Sequence, residues 1–150
     1  MRKVIGVIGA GSADAQTLDL ARAVGAAIAR AGCDLVCGGL GGVMQAACQG
    51  AREAGGLTIG VLPGSSRHDA NPYVDVAIVT DMGYARNVII AQTAQALIAI
   101  SGGPGTLSEI AIGLKLGKPV ISLGSWDVDP RIRRASDPQN AVECALESIK

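Results

Sequence analysis

Aromatic residues are nearly absent from this chain of 150 residues: they make up 2% of it, and phenylalanine does not occur. A platform on which nucleic-acid bases stack needs several aromatic side chains, so no such platform is expected. An excess of charge of one sign is also lacking, because 13 lysines and arginines balance 13 aspartates and glutamates. This balance removes the electrostatic argument for nucleic acid or an anionic membrane as a partner.

Histidine and closely spaced cysteines are scarce as well. His68 is the only histidine, and the four cysteines include no Cys-x-x-Cys pair. We therefore predict no metal site and no disulfide framework, but four reduced and mostly buried thiols. No apolar run approaches the ~20 residues of a membrane span, and the apolar start of the chain is too short and glycine-interrupted for a signal peptide. A cytoplasmic protein is expected.

Apolar residues and glycine are abundant instead. Hydrophobic residues form 49% of the chain, and glycine contributes 21 residues. Short β-branched runs alternate with alanine-rich amphipathic segments, an alternation typical of β-α units around a parallel sheet. The prediction is an α/β fold: one Rossmann-like three-layer domain over residues 1–150, with a mostly parallel sheet flanked by helices. The predicted strands cover residues 3–8, 34–37, 57–62, 74–80, 96–100 and 120–123, and the predicted helices cover 13–31, 42–54, 84–93, 106–116 and 140–149.

Two glycine-rich segments share a register, each between a predicted strand and a predicted helix. The first is GGLGG at residues 38–42, and the second is GGPGT at residues 102–106. Doubly wound sheets bind ligands at such turns, where glycine lets backbone amides approach a phosphate and the following helix presents unpaired N–H groups. For the second turn an alternative stays open, in which Thr106 and Glu109 form a capping box and the glycines only turn the chain.

Other enzyme classes receive little support. Residues 9–14 (GAGSAD) loosely resemble the dinucleotide-binding fingerprint, but Asp14 stands where its third glycine is required. The acidic residue expected at the end of the second strand is missing too, which argues against an NAD-dependent dehydrogenase. His68 accompanies no serine or cysteine nucleophile motif, so a hydrolytic triad is not expected and a solvated loop histidine is favoured.

Arg86 stands at the start of an otherwise apolar helix, where the helix dipole disfavours a cation. Its position requires a partner, and we favour an anionic ligand or an acidic residue in a cleft over a plain surface arginine. Apolar residues on several faces of that helix predict burial against a second subunit as well as against the sheet. Arg131, Arg133 and Arg134 form a basic cluster that could reach a phosphate, although charged residues in loops are usually solvated or paired.

Taken together, the two glycine motifs resemble those of the LONELY GUY-type superfamily, long labelled lysine decarboxylase-like. The matching positions are GGxxGxM at residues 38–44 and GGxGTxxE at residues 102–109. Its members include cytokinin-activating nucleoside 5′-monophosphate phosphoribohydrolases and molybdenum-cofactor carrier proteins. GYARN at 83–87 and NPYVD at 71–75 look more like the carrier branch. No residue supports the pyridoxal-binding lysine that the decarboxylase label implies.

The resemblance implies a pocket for a small phosphorylated, nucleotide-like ligand and no required cofactor. Molybdenum cofactor or a nucleoside monophosphate would be that ligand, and a homo-oligomer, dimer or tetramer, is implied as well. Arg86 and Glu109 would face the ribose and act as catalytic residues if the protein is an enzyme. The ligand- and phosphate-binding residues would be Gly38, Gly39, Gly42, Gly102, Gly103, Gly105 and Thr106.

Three departures bear on activity. Phosphoribohydrolases of this type usually have proline where Ser101 stands, and Arg-Lys where Arg86 and Asn87 stand. They also have one residue fewer between the methionine and the arginine. We therefore expect a binding protein of the molybdenum-cofactor carrier or storage type. The alternative is a phosphoribohydrolase that cleaves an N-glycosidic bond, and the sequence leaves open whether the pocket is catalytic.

Overall fold

Continuous apolar runs form the central strands, because helices cover both faces of the sheet. In the computed structural model, which describes residues 1–150, β2 (Asp34–Cys37), β5 (Ala96–Ile100) and β6 (Val120–Leu123) are buried along their whole length. They join β1 (Val4–Gly9), β3 (Thr58–Leu62), β4 (Val76–Val79) and β7 (Arg133–Arg134) in one sheet. The strand order is β4-β3-β2-β1-β5-β6-β7, and every neighbouring pair is parallel.

Five α-helices pack on this sheet: α1 (Ala15–Arg30), α2 (Val43–Glu53), α3 (Arg86–Thr93), α4 (Pro104–Lys115) and α5 (Pro138–Ser148). Residues of α1, α2 and α5 share one hydrophobic cluster, and residues of α3 and α4 share a second cluster. The result is a helix–sheet–helix arrangement, which confirms the predicted single Rossmann-like domain. None of the helices combines the length and the apolar character that a membrane span requires.

The bounds of the predicted elements agree with the observed ones to within two residues, and two differences have a clear physical cause. The sheet is entirely parallel and has a seventh strand, Arg133–Arg134, in a segment that we predicted as loop. Two exposed arginines carry no strand pattern, and only their pairing with β6 makes them a strand. Helix α4 begins at Pro104 rather than at residue 106, because the fixed φ of proline suits the first helical position.

The order of the strands places the functional edge of the sheet. Strand β1 lies between β2 and β5. Strands β2 to β4 are added on one side of β1 and strands β5 to β7 on the other, so the order of the strands reverses at β1. Ligands of open parallel sheets bind in the crevice outside the carboxyl ends of the strands at such a point. Both glycine-rich turns follow the strands that flank β1: the first turn (residues 38–42) follows β2, and the second turn (residues 102–106) follows β5.

Candidate ligand-binding site

A cavity of about 340 Å³ lies at this switch point. The end of β1 at Gly9, the loop after it at Gly11 and the start of α4 line this cavity. The side chains of Arg86, Asn87 and Glu109 line the same cavity. The fold therefore brings together two candidate site residues that are separated in the sequence, Arg86 and Glu109.

The second turn presents backbone donors to this cavity. Gly103, Gly105 and Thr106 line it, and the amides of Gly102, Gly103, Gly105 and Thr106 donate no hydrogen bond within the protein. A Cβ atom added at Gly103 or Gly105 would meet no atom within 4 Å, so these backbones border open space. Free amides at a helix N-terminus, together with the positive end of the helix dipole, favour an anion.

The capping-box alternative for the second turn is wrong. Gly103 is the N-cap of α4 and no side chain caps the helix. Thr106 and Glu109 both lie inside the helix, so Thr106 cannot accept from the amide three residues on in the manner of an N-cap. Gly102 has a φ of 106° and an added Cβ would overlap the Thr106 side chain, so this position requires glycine.

Arg86 is a buried cation at the first residue of α3, with 7% of its surface exposed. Its Nε donates to the Val61 carbonyl at 2.9 Å, its Nη2 to the Gly38 carbonyl at 3.4 Å, and its Nη1 to the Asn87 side chain. No carboxylate lies within the 4.0 Å of an ion pair with it. Burial lowers the pKa of Arg86, and the charge of Glu109 partly opposes this.

Glu109 is partly buried on α4 and lines the cavity with Arg86. Burial raises the pKa of its carboxyl to about 7, and the positive charge of Arg86 opposes the rise. Near neutral pH a large fraction of Glu109 is therefore uncharged while Arg86 stays protonated. The cavity then carries a net positive charge, which adds to the field of the α4 N-terminus.

The first turn has a different environment. A Cβ atom at Gly38 would come within 2.5 Å of Arg86 Nη2, and one at Gly39 within 2.7 Å of the Leu62 side chain. A Cβ at Gly42 would overlap the Ala10 carbonyl. None of these three glycines lines the cavity, although Leu40 of the same turn does. The structure thus places Gly38, Gly39 and Gly42 behind the cavity wall, in close contact with neighbouring elements.

Asn71 fixes this first turn, and sequence reasoning did not identify that role. Its backbone N–H donates to the Gly39 carbonyl at 2.9 Å, and its Nδ2 donates to the Leu40 carbonyl at 2.9 Å. The Gly39 amide donates in turn to the Cys37 Sγ at 3.3 Å. The sequence carries no signal for these contacts. An asparagine ahead of a proline indicates only a local bond, such as that from the Tyr73 amide to Asn71 Oδ1, whereas residues 39 and 40 are distant in the chain.

A second cavity of about 350 Å³ adjoins the first. Leu40, Tyr84 and Arg86 line both cavities, and Pro63 and Gly83 complete the second one. Apolar atoms form most of the walls of both cavities, and the first cavity is also bordered by free amides and by Glu109. A ligand with a charged end and an apolar end would meet matching surfaces in the two cavities.

A family model matches nearly the whole chain: the model of the SLOG cluster4 family covers residues 2–148. The chain belongs to the SLOG cluster4 family. Its fold superimposes on the molybdenum cofactor binding protein from the phototrophic bacterium Rippkaea orientalis with a TM-score of 0.95 and 40% identity, covering 100% of this chain and 99% of that one. The molybdenum cofactor carrier protein of Chlamydomonas reinhardtii matches with a TM-score of 0.92 and 37% identity, over 99% of each chain.

This SLOG cluster4 chain is also similar to enzymes. The cytokinin riboside 5′-monophosphate phosphoribohydrolase of Mycobacterium tuberculosis is 39% identical over 122 residues, which are 75% of this chain and 65% of that protein. The predicted resemblance to the LONELY GUY-type superfamily, on the carrier side, is confirmed by these matches.

Other candidate residues of the SLOG cluster4 chain lie outside the site. Each arginine of the basic cluster has an acidic partner: Arg131 pairs with Asp129 at 3.0 Å, Arg133 with Glu147 at 2.7 Å, and Arg134 with Asp127. His68 is exposed in a short 3-10 helix. The four cysteines are buried and free, as predicted.

Proposed function

We propose that this protein binds a phosphorylated, nucleotide-like ligand and acts as a carrier or storage protein for molybdenum cofactor. The phosphate lies against the free amides of Gly103, Gly105 and Thr106, and the rest of the ligand extends past Arg86. Gly102 supports this turn, and Gly38, Gly39 and Gly42 support the opposite wall. The protein itself requires no cofactor for this role.

The observation that carries the proposal is the buried, unpaired charge of Arg86. A buried cation without an ion pair is costly unless something else neutralises it. Arg86 uses three donors on protein oxygens, and the guanidinium has five N–H groups in all. Two donors therefore remain for a ligand, on the side chain that lines the same cavity as the free amides. An anionic ligand completes both sets of donors at once.

The relatives favour a pterin-type phosphate over other anions. The similar proteins of Rippkaea orientalis and Chlamydomonas reinhardtii are both named for molybdenum cofactor, and their structures match nearly all of this chain. The adjoining apolar cavity supports the same ligand class, because Leu40, Pro63 and Tyr84 offer walls for a planar ring. A phosphate end and a ring end are what a phosphorylated pterin and a nucleotide share.

Calorimetry tests this proposal. The purified protein is titrated with a phosphorylated pterin, with AMP and with ribose 5-phosphate, which has the phosphate and no ring. We expect the ring-bearing ligands to bind more tightly than ribose 5-phosphate, and the Tyr84→Ala variant to reduce that difference. Absence of affinity for every phosphorylated ligand would refute the proposal.

A second candidate function is hydrolysis of a nucleoside 5′-monophosphate to the free base and ribose 5-phosphate. The Glu109 carboxyl favours it, because a group with a pKa of about 7 can orient and deprotonate the attacking water near neutral pH. Its negative form also stabilises the oxocarbenium character that develops at the sugar as the N-glycosidic bond breaks. Arg86 would hold the ribose hydroxyls or the phosphate.

Product analysis separates the two functions. The protein and its Glu109→Gln variant are incubated with AMP and other nucleoside monophosphates, and free base is measured by chromatography. Release by the wild type and not by the variant would make the protein a phosphoribohydrolase with Glu109 at its centre. Ligand binding without release by either protein would support the carrier.

We also infer that the protein is a homo-oligomer, a dimer or a tetramer. Edge strand β4 and the segment leading into α3 leave a group of apolar side chains exposed: Val76, Ile78, Val79, Met82, Tyr84 and Val88. Apolar patches of this kind mark interaction surfaces. Light scattering at micromolar concentration should show more than one chain, and Val88→Glu should shift the protein towards the monomer. A monomeric wild type would contradict the inference.

A further inference from the structure

The single tryptophan of the chain contacts the second glycine-rich turn. Trp126 belongs to a segment of residues 124–132 that follows β6, which we call the strap. Trp126 Nε1 donates to the Gly103 carbonyl at 3.1 Å, and Ser125 Oγ donates to the Ser101 carbonyl at 2.6 Å. Neither Ser125 nor Trp126 lines the ligand cavity, so the strap holds the turn from behind.

The turn adopts a backbone conformation that needs such support. Ser101 has a φ of 48° and Gly102 a φ of 106°. The left-handed conformation is unfavourable for serine, and it persists only where surrounding contacts maintain it. The Ser125 hydroxyl supplies one of these contacts, and the bond from the Ser101 amide to the Leu123 carbonyl at 3.3 Å supplies another.

The strap fixes two carbonyls on either side of the free amides of Gly102 and Gly103. In a trans peptide the carbonyl and the following N–H point in opposite directions. A Ser101 carbonyl held by Ser125 therefore directs the Gly102 N–H away from the strap. The Gly103 carbonyl accepts from both Trp126 and the Leu107 amide. The next residue is Pro104, so this peptide carries no N–H. The two bonds instead fix the Gly103 ψ angle and with it the placement of the first turn of α4, to which the Gly105 and Thr106 amides belong.

The strap is itself anchored at both ends. The Ser125 amide donates to Ser122 Oγ on β6 at 3.0 Å, and Ser122 is buried. Near its other end, Arg131 pairs with Asp129 and donates to the Leu114 carbonyl of α4 at 3.2 Å. The strap thus contacts α4 at its N-cap, through Trp126, and in its last turn, through Arg131. Through Ser125 it also contacts β6.

From this geometry we infer that Ser125 and Trp126 are positioning residues, which hold the amide donors of the second turn in the arrangement that binds a phosphate. The inference rests on the proposed function for its ligand, but the ordering of the turn is a property of the free protein. Preformed donors bind more tightly than donors that must be ordered on binding. The strap therefore sets affinity without contacting the ligand.

The test uses variants that remove single donors. Trp126→Phe keeps an aromatic ring and loses the N–H, and Ser125→Ala loses the hydroxyl. Ser125→Thr is a conservative variant that retains the hydroxyl. Val128→Ala, at an exposed strap residue, is the matched control. Two measurements are made: ¹⁵N relaxation order parameters of the Gly102, Gly103 and Gly105 amides in the free protein, and AMP affinity by calorimetry.

We expect the order parameters of these amides to be about 0.85 in the wild type, which indicates a rigid backbone. In the Ser125→Ala, Trp126→Phe double variant the order parameters should fall below about 0.6. AMP affinity should fall about fivefold in each single variant, Ser125→Ala or Trp126→Phe, because the amides must then be ordered on binding. The midpoint of thermal unfolding should fall by only about 2 to 4 °C for each lost bond, because these bonds are present in the free protein. Ser125→Thr and Val128→Ala should behave as the wild type does.

The outcomes separate this inference from the proposed function. Unchanged order parameters in the double variant would overturn the inference, and so would a mobile turn with unchanged AMP affinity. A wild type that has an ordered turn and binds no phosphorylated pterin, no AMP and no ribose 5-phosphate would instead refute the proposed function. The order parameters of the variants then still decide the role of the strap.

Discussion

The two glycine-rich turns share a motif and a position after a strand, but they differ in what surrounds their backbones. In the first turn, side-chain space at Gly38, Gly39 and Gly42 is already filled by neighbouring atoms. In the second turn, Gly103 and Gly105 border an open cavity. The same residue type therefore serves close packing in one turn and access to backbone donors in the other.

The comparison explains how the two turns cooperate. Arg86 is fixed by the carbonyls of Val61 and Gly38, so the first turn orients the cation, and Leu40 is the only residue of that turn that lines the cavity. The second turn supplies the free amides, and its helix supplies Glu109. Substitution of the packed glycines of the first turn should therefore change stability, whereas substitution of the open glycines of the second turn, Gly103 and Gly105, should change ligand binding.

The largest effect is expected for Gly42→Ala. Gly42 has a φ of 62° and a ψ of −130° as the N-cap of α2, and a Cβ would overlap the Ala10 carbonyl. Backbone conformation and overlap together should lower the free energy of unfolding by about 3 kcal/mol or more. Denaturant titration measures this. Gly11→Ala is the control, since a Cβ there meets no atom within 4 Å. Equal stability of the two variants would contradict the packing role.

Arg86→Met should break the link between the two turns. It removes the buried charge and the hydrogen bonds to Val61 and Gly38. We expect ligand affinity to fall about 100-fold, which corresponds to the ~2 to 5 kcal/mol of a truncated buried charge contact. Arg86→Lys keeps the charge and loses the planar array of donors, so its ligand affinity should lie between that of the wild type and that of Arg86→Met. Calorimetry that finds wild-type affinity in Arg86→Met would exclude Arg86 from the site.

A smaller effect, on binding alone, is expected for Gly105→Ala. Alanine is the better helix former by up to about 1 kcal/mol, so the variant should be as stable as the wild type or more stable. Its methyl group enters the space in front of the free amides, and ligand affinity should fall about tenfold, about 1.4 kcal/mol. Ser108→Ala, at an exposed residue of α4 outside the cavity, should likewise not lower stability and should leave ligand affinity unchanged. A phosphate site elsewhere would leave the affinity of Gly105→Ala intact.

Sequence patterns predicted the framework well for a physical reason. Apolar runs bounded by glycine turns mark buried parallel strands, and the shared register of the two turns placed them at the same edge of the sheet. Arg86 at an unfavourable helix position indicated a buried partner, and the structure supplies carbonyls and a nearby acidic residue. These are local signals, so they can be read from the chain alone.

The difference between the turns could not be predicted in this way. Whether a glycine is packed or open depends on residues distant in sequence, such as Leu62 beside Gly39. The roles of Asn71 and Trp126 depend on contacts of the same kind, which join loops far apart in the chain. Strand β7 was missed because pairing with β6, and not its own residues, defines it.

The smallest effect sharpens the role of Glu109 in the second turn. Because burial raises its pKa to about 7, the carboxyl loses its proton as the pH rises from about 6.5 to 8.5, a range in which a ligand phosphate with a pKa near 6 is already mostly dianionic. Repulsion should then weaken binding about threefold to tenfold in the wild type, and Glu109→Gln should abolish this dependence.

Stability provides an independent check on the same group. The pKa of Glu109 rises from an ordinary value of 4.5 to about 7 on folding, so the folded state binds more protons than the unfolded state between these values. The free energy of unfolding contributed by this group should therefore decrease as the pH rises from about 4.5 to 7. Denaturation of Glu109→Gln across this range should lack that decrease. Parallel pH profiles of stability for the two proteins would show that folding does not raise the pKa of Glu109. The carboxylate would then be charged at neutral pH, and the cavity would carry no net positive charge.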